Sequence, residues 1–132
     1  MPKILIADDD PIIIKLLQVN LEMEGYEVIT AEDGQDAVEK ASANDPDLVI
    51  LDIMMPRMDG WTARGELLKD PTTAKTPVIF LSARAQQADL RKGYEAGVAE
   101  YVTKPFDPMD LLEIVDAILK GTYQRPQDPP ER

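Results

Sequence analysis

The sequence predicts an α/β protein: a five-stranded parallel sheet, doubly wound with five helices. Three observations predict it. Short apolar runs alternate with stretches of helical periodicity five times along 132 residues, the pattern of strand–helix units that cross over to build parallel sheets. The runs ending at Ala7, Leu51 and Leu81 are apolar without alternation, as strands covered on both faces must be. Proline, glycine and aspartate mark most of the junctions between segments, where caps and stops are needed.

The first run, Lys3–Ala7 (KILIA), reads as a buried strand, and Asp8, Asp9, Asp10 and Pro11 follow it. Asp10 before Pro11 suits a helix N-cap and first helical position. The helix carries Ile13, Leu16, Leu17 and Leu21 at helical spacing, and Gly25 suits its C′ position. Residues 26–30 (YEVIT) alternate, as an edge strand would. Asp33 and Gly34 make a turn, and a short helix with Ala37, Val38 and Ala41 on one face runs to about Asn44. Pro46 and Asp47 signal another turn before the central strand, Leu48, Val49, Ile50 and Leu51, which Asp52 follows directly.

Beyond the loop MMPRMDG, residues 61–69 read as a weak third helix carrying Trp61, Leu67 and Leu68. A polar loop over residues 70–76 and Pro77 lead into the fourth strand, Val78 to Leu81, which Ser82 and Ala83 end. The next helix, over about residues 86–96, is poorly specified: Leu90, Tyr94 and some alanines form its apolar face. Gly93 lies inside it, at a cost of about 1 kcal/mol relative to alanine. Gly97 stops it, residues 99–102 make a short fifth strand, and Thr103, Lys104 and Pro105 come next. Asp107 and Pro108 repeat the start signal of the first helix. Leu111, Leu112, Val115, Ile118 and Leu119 then form the clearest amphipathic pattern in the chain, ended by Gly121. One domain is expected over residues 1–121, with residues 122–132 a proline-rich linker or frayed end.

Composition removes several classes of function. Acids outnumber bases 25 to 14 for a net charge of -11, and no cluster of Lys and Arg appears, so direct nucleic-acid binding is not expected. Without cysteine or histidine there is no disulfide, thiolate or imidazole chemistry and no phosphohistidine. No apolar run approaches the roughly 20 residues of a membrane span, and no signal-peptide pattern opens the chain. A cytoplasmic protein with no membrane association is expected.

Parallel strands deliver their carboxyl ends to one rim, where open α/β sheets bind ligands. Asp8 and Asp9 end the first strand, Asp52 the third and Ser82 the fourth, and Lys104 lies just past the fifth. Each could merely cap a turn, but together three carboxylates, a hydroxyl and an ammonium converge. Clustered carboxylates repel, and a divalent cation relieves the repulsion. Oxygen ligands without His or Cys select a hard ion, Mg²⁺ or Mn²⁺. Metal, Lys104 and Ser82 could then meet the oxygens of a phosphoryl group, with Asp52 the nucleophile that forms an acyl phosphate.

On ILIADDDP, LVILDIMMPRMDG, PVIFLSA and YVTKPF, in this order and at these separations, the sequence resembles a response-regulator receiver domain of two-component signalling, chemotaxis regulators included. The resemblance runs from Lys3 to Lys120. It implies the flavodoxin-like sheet order 2-1-3-4-5. It also implies phosphorylation at Asp52, and Mg²⁺ ligation by Asp9, Asp52 and the Met54 backbone carbonyl, with Asp8 acting through water. By the same resemblance Ser82 is the switch hydroxyl, Lys104 the phosphate-binding lysine and Tyr101 the aromatic switch residue. A cis bond is expected before Pro105. The implied partner is a histidine kinase or histidine phosphotransfer protein. A downstream effector would meet the face of the fourth helix, fifth strand and fifth helix. Phosphorylation is expected to draw Ser82 toward the new oxygens, to reorganise the poorly specified fourth helix and to turn Tyr101 inward; the ordinary alternative is that Tyr101 is simply a half-buried edge residue. The residues flanking the path of attacking water would be Met54 and Arg84. Neither can serve as a base, which points to slow self-dephosphorylation.

Rival readings lack key residues. An aspartyl phosphatase needs a general acid two positions after its nucleophile, where Met54 stands, so turnover of outside substrates is not expected. A nucleotide binder needs a Gly- or Thr-rich loop after the first strand, where three aspartates stand. A scaffold-only receiver would lack an acceptor residue, and none is missing. A phosphorelay receiver standing alone and the N-terminal part of a transcription regulator both stay open. Ala99 replaces an acid of the winged-helix-class dimer contact, and the fifth helix offers no base before Lys120. A monomer is therefore expected, with a phosphorylation-dependent dimer as the alternative.

Overall fold

The computed structural model describes residues 1–83 and 87–123. Five parallel strands lie in the order β2-β1-β3-β4-β5, as the resemblance implied. The elements are β1 (Lys3–Ala7), α1 (Pro11–Met23), β2 (Glu27–Ala31), α2 (Gly34–Asn44), β3 (Leu48–Asp52), α3 (Gly60–Lys69), β4 (Val78–Ser82), α4 (Gln87–Glu95), β5 (Glu100–Thr103) and α5 (Pro108–Lys120). Side chains alternate across the sheet and divide the core in two. Leu5, Val49, Leu51, Val78 and Phe80 pack with Ala37 and Ala41 of α2 and Ala63 and Leu67 of α3. Ile4, Ile6, Leu48, Ile50 and Leu81 pack with Leu17 and Leu21 of α1 and Leu111 and Val115 of α5. Among the described residues no helix is long and apolar enough to cross a membrane.

Local signals placed the helix starts. Asp10, Asp33, Asp59 and Asp107 each accept a backbone N–H of the helix they precede. Asp33 and Gly34 thus start α2 rather than form a separate turn. Gly25 and Gly121 follow α1 and α5 in the left-handed region, at φ 91 and 74. The edge strands begin one residue later than expected. Tyr26 belongs to the end of α1, its N–H on the Leu21 carbonyl at 3.2 Å and its hydroxyl on Asp116 at 3.0 Å.

Two helices face differently from the sequence reading. Gly60 touches the β3 backbone so closely that a Cβ would lie 2.6 Å from the Asp52 carbonyl oxygen. That contact fixes the buried stripe of α3 as Gly60, Ala63, Arg64 and Leu67, and leaves Leu68 outside. In α1 the buried positions are Leu17 and Leu21, while Leu16, expected on the core face, is exposed.

Gly93 has a packing reason that its helix propensity conceals. A Cβ there would stand 2.7 Å from Cδ2 of Tyr101. The Tyr101 ring is held edge-on to Phe80 at 6.3 Å between centroids and has little room to yield. Gly93→Ala is therefore expected to destabilise the fold on the scale of about 1–3 kcal/mol seen for overpacking, offset by about 1 kcal/mol of better helix propensity. Denaturant unfolding checks this, and a stabilised variant would show that the ring is free to move aside.

Candidate functional site

β1 and β3 are neighbours, with Ala7 opposite Leu51, so Asp8 and Asp52 emerge side by side at the carboxyl rim. One oxygen from each of Asp8, Asp9 and Asp52 lies within 4.8 Å of the others. Asp8 and Asp52 are buried and Asp9 is exposed. Asp8 is held in place by the Asp10 N–H, which donates to its Oδ1 at 2.9 Å.

Lys104 arrives from the far side of the sheet. Its N–H donates to the Ser82 carbonyl at 2.7 Å, and the bond to Pro105 is cis. Its Nζ stands 2.9 Å from Asp8 Oδ2 and 3.4 Å from Asp52 Oδ1. One ammonium thus pairs with two of the three clustered carboxylates. Burial, and then the charge of Asp8, push the Asp52 carboxyl up to about 6, against the pull of Lys104. Burial opposes the charge on Lys104, but Asp8 and Asp52 hold its ammonium above the usual lysine range. The cluster carries more negative charge than it can neutralise, and its donors are all oxygens. That set fits a hard divalent cation. A cleft of about 240 Å³ lined by Asp8, Asp9, Pro11, Ile14 and Glu32 opens beside it.

Ser82 is fully buried and ends β4 one residue past Leu81, the register partner of Asp52. Met54 stands at the lip, 63% exposed. Tyr101 is not part of the carboxylate group. It already points inward, 5% exposed within the core, so it is not the half-buried edge residue of the alternative reading: the absence of a side chain at Gly93 leaves room for the ring. Arg84 lies outside the described residues.

Three features escaped the sequence reading. Glu100 is buried on β5 and accepts the Tyr94 hydroxyl at 2.5 Å, the Tyr123 hydroxyl, and the Tyr101 N–H at 2.8 Å. It ties α4 and the chain leaving α5 to the edge strand. Arg64 is buried on α3 and donates to the carbonyls of Gly97 at 3.1 Å and Ala96 at 3.4 Å, just past α4. Asp33, besides capping α2, is ion-paired to Arg57 of the β3–α3 loop. No local pattern marks these pairings, because the partners come from different elements.

The family model for the response regulator receiver domain matches residues 4–116. The chain is 45% identical over 127 residues to the DNA-binding dual master transcriptional regulator RpaA of Synechocystis, covering 96% of this chain and 53% of RpaA. It is 40% identical over 121 residues to Protein PilH of Pseudomonas aeruginosa, covering 92% of this chain and 100% of PilH. The chain spans about half the length of RpaA and of other transcriptional regulators it matches. Among solved structures it is similar to the receiver domain of sensor histidine kinase PA1611 from Pseudomonas aeruginosa PAO1. That structure has a magnesium ion coordinated in its active site cleft. The TM-score is 0.82 at 29% identity, covering 90% of this chain and 98% of that one.

Proposed function

Because the chain belongs to the response regulator receiver domain family of two-component signalling, we propose that it takes a phosphoryl group from a histidine kinase or histidine phosphotransfer protein onto Asp52. The observation that carries the reading is the buried Asp52 carboxylate at the sheet rim, beside two further carboxylates and within 3.4 Å of the Lys104 ammonium. An Asp52 oxygen attacks phosphorus as the N–P bond of the donor phosphohistidine breaks, and the bonding pair leaves with the imidazole. Lys104 faces the charge on the transferred group, and Ser82 stands ready to donate to it. Asp9, Asp52 and the Met54 carbonyl would hold Mg²⁺ or Mn²⁺, with Asp8 close by. A bound cation would offset the charge of carboxylates and phosphoryl oxygens together. The protein catalyses only its own phosphorylation and dephosphorylation. The Met54 side chain at the lip offers water no oxygen or nitrogen to bind, which favours a lasting acyl phosphate. A groove of about 420 Å³ lined by Tyr101, Val102, Phe106 and Ile114 supports the α4–β5–α5 face as the effector surface.

A phosphohistidine donor must straddle the rim, and α1 begins there, directly after Asp8, Asp9 and Asp10. Ile12, Leu16, Val19 and Met23 form an exposed apolar stripe down that helix, Ile12 and Met23 at 74% and 78%. This stripe is the donor's docking surface. Ile12→Asp with Leu16→Asp should slow phosphotransfer from a phosphorylated histidine phosphotransfer protein at least about tenfold, a loss of about 1.4 kcal/mol. Phosphorylation by acetyl phosphate, which needs no docking, should be unchanged. Equal slowing with both donors would point to damage at the site, and no slowing with either would remove α1 from the interface.

A further inference from the structure

We infer that Arg57, ion-paired to Asp33, is a positioning residue that sets the affinity of the carboxylate site for its divalent cation, an inference that rests on the metal reading proposed above. Arg57 sits at φ 66, a conformation that glycine adopts freely and that a long side chain resists. An unfavourable backbone geometry beside a functional site points to a side chain with work to do. The Arg57 side chain is 69% exposed, so packing does not hold it, and its partner is the 3% exposed carboxylate of Asp33. Asp33 is itself fixed, accepting the Asp36 N–H at 2.8 Å as the α2 cap.

The pair joins the two loops where their backbones meet. Gly34 follows Asp33 and Met58 follows Arg57. A Cβ on Gly34 would lie 2.0 Å from the Met58 carbonyl oxygen, so only glycine permits this approach. At its base the β3–α3 loop is closed by the Gly60 N–H on the Ile53 carbonyl at 2.8 Å. Its outer end is tethered by Arg57. Met54, whose carbonyl is the third metal ligand in the reading above, lies between these two anchors. Without the outer anchor, that carbonyl is left to a loop held at its base, by buried Met55 and by the approach of Met58 to Gly34, with no side chain tying Arg57 to α2.

Charge and position predict opposite signs. Removing a cation near an acidic site should, by Coulomb's law alone, tighten Mg²⁺ binding. Loss of a positioning group should weaken it. The experiment is calorimetric titration of the full chain with Mg²⁺, with denaturant unfolding of each variant. Arg57→Gly is expected to weaken Mg²⁺ binding about tenfold, the lower end of what outer groups contribute to metal sites. Its unfolding midpoint without Mg²⁺ should fall little, because relief of the left-handed position offsets loss of the partner of Asp33. Arg57→Lys, which keeps the charge, should recover most of the affinity. Asp33→Asn, which can still cap α2, should weaken binding as Arg57→Gly does, and the double variant should be no weaker than either. Wild-type-like or tighter Mg²⁺ binding by Arg57→Gly would overturn the inference, as would additive losses in the double variant. Failure of the wild type itself to bind Mg²⁺ would instead overturn the metal reading on which the inference stands.

Discussion

Asp52→Asn, incubated with acetyl phosphate and Mg²⁺, is expected to show no phosphate adduct by intact mass, while the wild type gains one. The amide lacks the nucleophilic oxygen that the proposed acyl phosphate requires. The neighbouring carboxylates are not equivalent substitutes. Asp8 is held by the Asp10 N–H on one oxygen and Lys104 on the other, and Asp9 is exposed. Lys104→Ala should slow the reaction strongly without abolishing it, because the nucleophile remains. An adduct that persists in Asp52→Asn would overturn the assignment, and peptide mapping would then locate the true acceptor.

Without divalent cation, the protein is expected to lose stability as pH rises from about 4 to about 6. The Asp52 carboxyl titrates near 6 in the folded chain against 3.8 in the open chain, because burial and Asp8 disfavour its charged form. The folded state therefore binds this proton more tightly, and the associated stability is present at low pH and lost as pH climbs through that window. A displacement of about two pH units corresponds to a loss on the order of 3 kcal/mol. Asp33 works in the other direction but lower on the scale. The Asp36 N–H and then Arg57 hold its carboxyl below the usual range, so its contribution disappears only as pH falls beneath that range. Denaturant unfolding at pH 4.5 and pH 7, with and without Mg²⁺, measures the effect. Saturating Mg²⁺ should remove the decline, and Asp52→Asn should lack it and be more stable than wild type at pH 7. An unchanged decline in Asp52→Asn would assign it to another group.

The sequence by itself determined the strands, the starts of α1 and α5, and the rim. Continuous apolar runs such as ILIA and LVIL can only be buried on both faces, and Asp10 and Asp107 before α1 and α5 cap locally, so a few consecutive residues carry each signal. Alternating strands and helices then oblige the strand ends bearing Asp8, Asp52 and Ser82 to share one edge. Tertiary structure alone decided which groups touch there and how strongly. Lys104 meets Asp8 across 96 residues, a contact that exists only because β1, β3, β4 and β5 lie side by side. The rotation of a helix about its axis is likewise fixed by its neighbours. The approach of Gly60 to β3 buried Arg64 and expelled Leu68, although apolarity argues the reverse. Tyr101 turned inward because Gly93 leaves a gap, and Asp33 found Arg57 because two loops meet backbone to backbone at Gly34. Propensity and periodicity act over a few residues, whereas ion pairs, close approaches and the raised Asp52 carboxyl depend on distances that only the packed chain sets.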